Sequence, residues 1–197
     1  VAAIIVLLPG FSLTVGISEL ATGHLTAGTS RLAGAMVAFL MLGLGAMLGL
    51  RLAAGVGLHP MTSPEPFVWP QPAVVLVASL SLVVLLRARP RDAGLVVAAG
   101  FLGWGAVTLL APALGPQMAA SGGAFVVALA GNAVGRWRRL PATLLVAPGL
   151  LLLVPGSIGF RGVQALLDTN TLVGVQTAVE MFVVAGGLVG GLLLANL

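Results

Sequence analysis

The chain has 197 residues, of which 59% are hydrophobic and only 7% are charged, and its mean hydropathy is +1.15. A soluble domain carries about 25% charged residues, so this composition excludes that class and places essentially the whole chain in a lipid bilayer. The absence of cysteine excludes disulfides, iron–sulfur clusters and thiolate metal sites. The net charge of +4 comes from arginines in short clusters between apolar runs, which is typical of membrane orientation and not of nucleic-acid binding.

Apolar runs of membrane length follow one another along the chain, and a spanning helix needs about 20 such residues. Residues 1–8 are too few to span and are predicted to be the end of a helix. Further helices are predicted over residues 31–56, 73–86, 93–110, 117–135, 142–154 and 172–197. The short run 142–154 contains Pro148-Gly149, so we expect a broken or half-length helix there.

The predicted fold class is an all-α polytopic membrane protein. Prolines at 60, 64, 66, 70 and 72 predict an extended loop over residues 58–72. This loop divides the chain into a first domain (1–57), the loop itself and a second domain (73–197).

A Pro-Gly pair stands at the end of two apolar runs, at Pro9-Gly10 and at Pro155-Gly156. Placing Pro155 over Pro9 is an offset of 146 residues, and the same offset sets Gly174 over Gly28. Proline lacks a backbone donor and glycine tolerates unusual backbone angles, so each pair is predicted to break a helix. Broken helices at matching points of a repeat leave backbone polar groups that a substrate can satisfy, which is typical of transporter binding sites.

The arginines predict the orientation of the chain. One cluster lies within residues 87–91 and another within 136–139; two predicted spans separate them, so both face one side, which should be cytoplasmic. By the same count Arg31 faces the cytoplasm, whereas the proline-rich loop and Arg161 face outside. The two Pro-Gly segments then run in opposite directions, so the sequence predicts inverted repeats and alternating access.

Three of the polar side chains inside predicted spans are candidates for transport chemistry: Asn132, Gln176 and Glu180. A carboxylate such as Glu180, near mid-bilayer, costs several kcal/mol unless it is paired or protonated. This residue is therefore predicted to exchange protons during transport or to meet a substrate ammonium; the alternative is a protonated carboxyl bonded to Asn132 or Gln176. Gln176 lies four residues before Glu180 on the same helix face, and for Asn132 and Gln176 interhelical hydrogen bonding is the alternative to substrate contact.

Polar residues also follow each Pro-Gly pair. After the second pair, Arg161 and Asp168 lie about two helical turns apart on one face. Arginine can clamp a carboxylate through two parallel hydrogen bonds, and a carboxylate can hold an ammonium, so the two suit an amino acid. The alternative is that these segments are interfacial helices whose charges face water. After the first pair, spacings of three and four residues put four side chains on one side of a short helix: Thr14, Ser18, Glu19 and Thr22.

No nucleophile–base arrangement, metal-ligand spacing or phosphate loop accompanies these residues, so we predict no enzyme, no cofactor and no metal site. Glycines at four-residue spacing are assigned to helix packing, and Arg31, Arg51 and the arginine clusters to interface anchoring. The residues predicted to bind substrate or to couple transport are Pro9, Gly10, Thr14, Ser18, Glu19, Thr22, Asn132, Pro155, Gly156, Arg161, Asp168, Gln176 and Glu180.

Two stretches resemble a known family. Leu8-Pro-Gly-Phe-Ser-Leu-Thr14, running into Glu19-Leu-Ala-Thr22, resembles the first domain of the threonine/serine exporter family. Arg139-Leu-Pro-Ala-Thr143, followed by Val146-Ala-Pro-Gly149 and Leu153-Val-Pro-Gly-Ser157, resembles its second domain. The resemblance implies a bacterial inner-membrane exporter of a small polar amino acid, driven by the proton gradient. Family members carry a soluble region and further helices before the first motif, so we expect this chain to be part of a longer protein.

Two alternatives stay open. In two-component relatives, separate chains carry the same two domains, and these relatives are implicated in succinate export. A dicarboxylate is therefore the second substrate class. A dianion needs more than one cation near the site, which favours an amino acid. The chain could instead be a non-transporting membrane subunit that binds a partner through its glycine-rich faces. A homo-oligomer is compatible with either reading, and the lipid bilayer, the substrate and protons are the expected partners.

Overall fold

The computed structural model describes residues 9–57, 70–168 and 170–197. Within these ranges the chain is helical and holds no strand. Its helices are α1 (Gly10–Ala21), α2 (Leu25–Gly55), α3 (Gln71–Leu85), α4 (Ala93–Arg138), α5 (Thr143–Leu153), α6 (Gly156–Leu167) and α7 (Thr171–Leu194), with a 3-10 turn at Pro90–Asp92 before α4. The helix end predicted at residues 1–8 and most of the loop predicted at 58–72 lie outside the described residues.

The described helices confirm an all-α polytopic membrane fold. Four segments are long and apolar enough to cross a bilayer, namely Leu25–Gly55, Pro90–Arg138, Thr143–Leu167 and Thr171–Leu194, and Gln71–Leu85 is a shorter apolar helix. α2 begins six residues before the predicted position (25 against 31) because the charge of Arg31 does not end it. Pro72, predicted as loop, lies in the first turn of α3, where a backbone N–H has no intrahelical acceptor and proline is tolerated.

The described chain divides into two compact units. The first holds α1, α2, α6 and α7 up to Phe182; the second holds α3, α4, α5 and the remainder of α7.

In the first unit, α1–α2 and α6–α7 are two helical hairpins of the same build. In each hairpin the first helix has 12 residues, and the second helix begins 15 residues after the first helix begins. The amide of His24 donates to the Glu19 carbonyl at 2.8 Å, and that of Asn170 donates to the Ala165 carbonyl at 2.9 Å. These residue pairs are related by the offset that the Pro-Gly pairs predict, so the sequence repeat is also a structural repeat.

Both hairpins close over glycines at the same positions. A Cβ placed on Gly16 would lie 3.2 Å from the carbonyl oxygen of Gly28 in α2, and one on Gly162 would lie 3.5 Å from the carbonyl oxygen of Gly174 in α7. Small residues allow backbones to approach in this way, which is how helices associate where lipid removes the hydrophobic driving force.

α6 lies along α2 within the first unit. Gly159 leaves room for the buried ring of Phe39, and Gly43, four residues further along α2, leaves room for Val163, four residues further along α6. The contacts advance together along both helices, so α6 runs in the same direction as α2. Because α1 folds back on α2, it runs against α6.

The second unit is built on α4, which reverses direction at Gly115. That residue has φ 78° and ψ 161° between Pro112 and Pro116, a backbone conformation open to glycine. The arms 93–114 and 116–138 then pack together, with Gly123 against Val107. The two spans predicted at 93–110 and 117–135 are therefore the arms of one tight hairpin.

The reversal brings two arginine-bearing turns to the same end of the second unit. A cavity of about 450 Å³ is lined by Arg87 and Arg89 from one turn and by Leu140 and Pro141 from the other. At this end the second half of α7 also finishes, because α7 follows the arm 116–138 in the same direction. Gly187 lies against Ser121, and Ala195 is bonded to Asn132.

α5 is a half-length helix of 11 residues, as predicted, but Pro148-Gly149 does not break it. Pro148 is buried within the helix, and Gly149 leaves room for Val127 of α4. The break comes instead at Val154, whose φ of −62° and ψ of 132° are extended, immediately before Pro155.

Candidate functional site

Each Pro-Gly pair starts a helix inside the first unit. Pro9 (φ −78°, ψ 23°) caps α1 and Pro155 (φ −79°, ψ 35°) caps α6, and neither helix start has a side-chain cap. Gly10, Pro155 and Gly156 are buried, Pro9 is half-buried, and α1 contacts α6. Two uncapped helix starts, each with N–H groups free of intrahelical acceptors and a positive dipole end, thus lie within one packed body. The helix predicted before Pro9 lies outside the described residues.

The hydroxyl groups of α1 are used by their own helix. Thr14 is buried, and its Oγ1 donates to the Gly10 carbonyl at 3.1 Å. The Oγ1 of Thr22 donates to the Ser18 carbonyl at 2.9 Å. Both threonines therefore offer oxygen lone pairs, and not the hydroxyl proton, to any further partner, while Ser18 is half-buried on the same helix.

Glu19 forms an ion pair that joins α1 to α2. Nε of Arg31 donates to Oε1 of Glu19 at 2.8 Å, and the two side chains are 55% and 23% exposed. The other carboxylate oxygen, Oε2, is buried and has no hydrogen-bond partner among the described residues. The sequence analysis assigned Arg31 to interface anchoring and missed this pairing. A hairpin between α1 and α2 would have indicated it, because the hairpin brings together residues that are 12 positions apart.

The ion pair has no counterpart in the second hairpin. The positions related to Glu19 and Arg31 by the repeat offset hold Ala165 and Thr177. The backbone is repeated, but this charge pair belongs to one hairpin only.

The predicted residues of the second hairpin lie on both of its helices. Arg161 and Asp168 are exposed on α6 and just after it, and Gln176 is exposed on α7. Glu180 is half-buried and is the tenth residue of the 24 in α7. Asp168 also lines a cavity with Arg51 of α2 and Gln164 of α6; sequence reasoning assigned neither of these two to the site.

Asn132 belongs to the second unit. Its Nδ2 donates to the carbonyl of Ala195 and to Oδ1 of Asn196, each at 3.0 Å. These bonds tie α4 to the C-terminal end of α7, the structural role that the sequence left open for it.

The described residues contain no group of three or more His, Asp or Glu side chains that could hold a metal ion. His24 has a local contact instead, with Nδ1 3.1 Å from Oγ1 of Thr22. His59 lies outside the described residues.

Comparison with known families returned two matches. A family described as "Threonine/Serine exporter, ThrE" matches residues 71–197, and a second threonine/serine exporter family matches residues 1–53. The two matched ranges lie on either side of the proline-rich segment. Comparisons with curated proteins and with solved structures gave no match.

Proposed function

Because this chain belongs to the threonine/serine exporter family, we propose that it is part of a secondary transporter that exports small polar amino acids across the bacterial inner membrane. The observation that carries this proposal is the repeated hairpin that begins at a Pro-Gly helix start. Matching broken helices are the usual place where such transporters bind their substrates.

The direction of the hairpins supports an inverted repeat. α6 runs with α2 and against α1, as the contacts at Phe39 and Gly43 require. Each 12-residue first helix is about 18 Å long at 1.5 Å per residue, roughly half of a bilayer with a hydrocarbon core of about 30 Å. Hairpins that enter from opposite faces therefore bring Pro9 and Pro155 near the midplane. Exchange of conformation between them gives alternating access.

We assign the substrate to the space near these helix starts. The positive end of a helix, or the guanidinium of Arg161, holds the substrate carboxylate. Glu180, roughly 14 Å along α7 from its start, takes up and releases the coupling proton.

The charges of the first unit favour a zwitterion over the dicarboxylate of the alternative. Arg31 is paired with Glu19, which leaves Arg51 and Arg161 as the other arginines among the described residues of the first unit. Asp168 lines the same cavity as Arg51. A carboxylate in the site attracts an ammonium and repels a dianion.

The test is efflux from proteoliposomes that contain the full-length gene product. Preloaded threonine and serine should leave at rates that rise with an imposed proton gradient, whereas succinate should not leave above the rate of empty liposomes. Succinate export without threonine export would favour the dicarboxylate alternative. Export of neither, restored only by adding a second membrane protein from the same operon, would favour the partner-subunit alternative.

A further inference from the structure

The ends of α2 and α6 enclose a cavity that the proposed midplane site does not use. It has a volume of about 180 Å³, and Gly43, Met47 and Leu167 form part of its wall. Gly43 lets α6 approach α2 closely, because a Cβ there would collide with Val163. Beyond this contact α6 ends at Leu167 whereas α2 continues to Gly55, so the space opens where the partner helix stops.

The polar part of the wall holds one cation, one anion and one amide. Arg51 comes from the last two turns of α2, Gln164 from the last turn of α6, and Asp168 from the residue that follows α6. The last carbonyls of α6 add negative partial charge to the end that Asp168 occupies. The cavity therefore has an acidic end suited to an ammonium and a guanidinium suited to a carboxylate.

The volume fits a small ligand. A water molecule takes up roughly 30 Å³ in the liquid, so the cavity has room for roughly six waters, the size class of serine and threonine. In the first hairpin, Ser18 corresponds to Gln164 and Thr22 corresponds to Asp168. The first hairpin therefore has no carboxylate at the position of Asp168.

We propose that this cavity is a second binding site for the zwitterionic amino acid, at the end of α6 remote from Pro155. Arg51 binds the carboxylate, Asp168 binds the ammonium and Gln164 binds the side-chain hydroxyl. The inference rests on the proposed function and deepens it. In the orientation that the arginine clusters predict, this end of α2 and α6 faces outside, so the cavity lies on the exit side.

The experiment measures binding by calorimetry to the full-length gene product in nanodiscs, with three probes that differ in charge. Threonine carries both charged groups, threoninamide lacks the carboxylate, and N-acetylthreonine lacks the ammonium. Arg51→Gln is expected to weaken threonine binding at this site at least tenfold and to leave threoninamide binding unchanged. Asp168→Asn is expected to weaken threonine and threoninamide and to leave N-acetylthreonine unchanged.

Arg138→Gln is the control, because it removes an exposed arginine of the second unit that stacks on Trp137; its binding should equal that of the unmodified protein. Equal losses for all three probes, or none in either variant, would overturn the inference.

Efflux separates this inference from the proposed function. If the unmodified protein exports threonine while Arg51→Gln and Asp168→Asn bind it normally, only the second site is wrong. If the unmodified protein neither binds nor exports threonine, the proposed function fails and the second site fails with it.

Discussion

Glu19 and Arg31 illustrate how one residue's role depends on where its neighbour is folded. An exposed ion pair contributes about 0–1 kcal/mol, but the Oε2 of Glu19 is buried and Arg31 is the cation beside it. Removing one partner of such a pair costs more than replacing both, because the remaining group is left desolvated without a partner. The second hairpin already shows a neutral version of the same positions, with Ala165 and Thr177.

This comparison predicts the behaviour of matched variants. Arg31→Thr alone should destabilise the protein by about 1–3 kcal/mol, whereas Arg31→Thr combined with Glu19→Ala should recover most of that loss. The measurement is thermal unfolding of the purified protein in detergent. If the double variant has the same melting temperature as Arg31→Thr, the loss of stability does not come from leaving Glu19 unpaired.

Glu180 carries the prediction about coupling. Glu180→Gln keeps the shape and hydrogen-bonding capacity of the side chain but cannot exchange a proton, so we expect proton-driven threonine efflux to fall to the rate without a gradient while threonine exchange continues. The measurement is efflux from proteoliposomes with and without an imposed pH difference. Glu180→Asp is the control and should keep the gradient dependence; an unchanged gradient dependence in Glu180→Gln would assign coupling elsewhere.

Glycine positions determine how closely the two helices of each hairpin approach. A Cβ on Gly28 would lie 2.8 Å from the carbonyl oxygen of Gly16, which is backbone and cannot move aside. Gly34, on the same helix α2, faces open space. The sequence alone assigns both to a glycine-rich span, and only the hairpin tells them apart.

We therefore predict opposite effects of the same substitution. Gly28→Ala should destabilise the protein by about 1–3 kcal/mol through overpacking, and Gly34→Ala should be neutral or slightly stabilising because alanine favours helix. Thermal unfolding of the two variants side by side gives the measurement. Equal melting temperatures would mean that α1 and α2 do not pack through this contact.

The proposed alternating-access mechanism requires that the two hairpins enter the membrane from opposite faces. His24 and Asn170 occupy equivalent, exposed turn positions in the two hairpins. Because the chain contains no cysteine, single cysteines can report the side on which each turn lies.

The proposed inverted repeat predicts opposite labelling of these positions. With a membrane-impermeant maleimide, Asn170→Cys should react in intact cells, and His24→Cys should react only in inside-out vesicles. Pro141→Cys, in the turn after the second arginine cluster, is the control and should behave as His24→Cys does. Labelling of both turn positions from one side would contradict the inverted repeat and the alternating-access mechanism together.

The sequence alone predicted most of the helical segments of the described residues and the restart of a helix after each Pro-Gly pair. These features follow from local chemistry: the missing N–H of Pro9 and Pro155, the freedom of glycine, and the length of each apolar run. It left open whether the run 142–154 is broken or only half-length, and the structure shows a half-length helix with Pro148 inside it.

Two features are visible only in the folded chain: the ion pair of Arg31 with Glu19, and the cavity that Arg51 and Asp168 both line. Both features bring together residues that are separated in the chain, and their geometry depends on how closely glycine-lined helices approach. A local sequence pattern does not specify the distance between two packed helices.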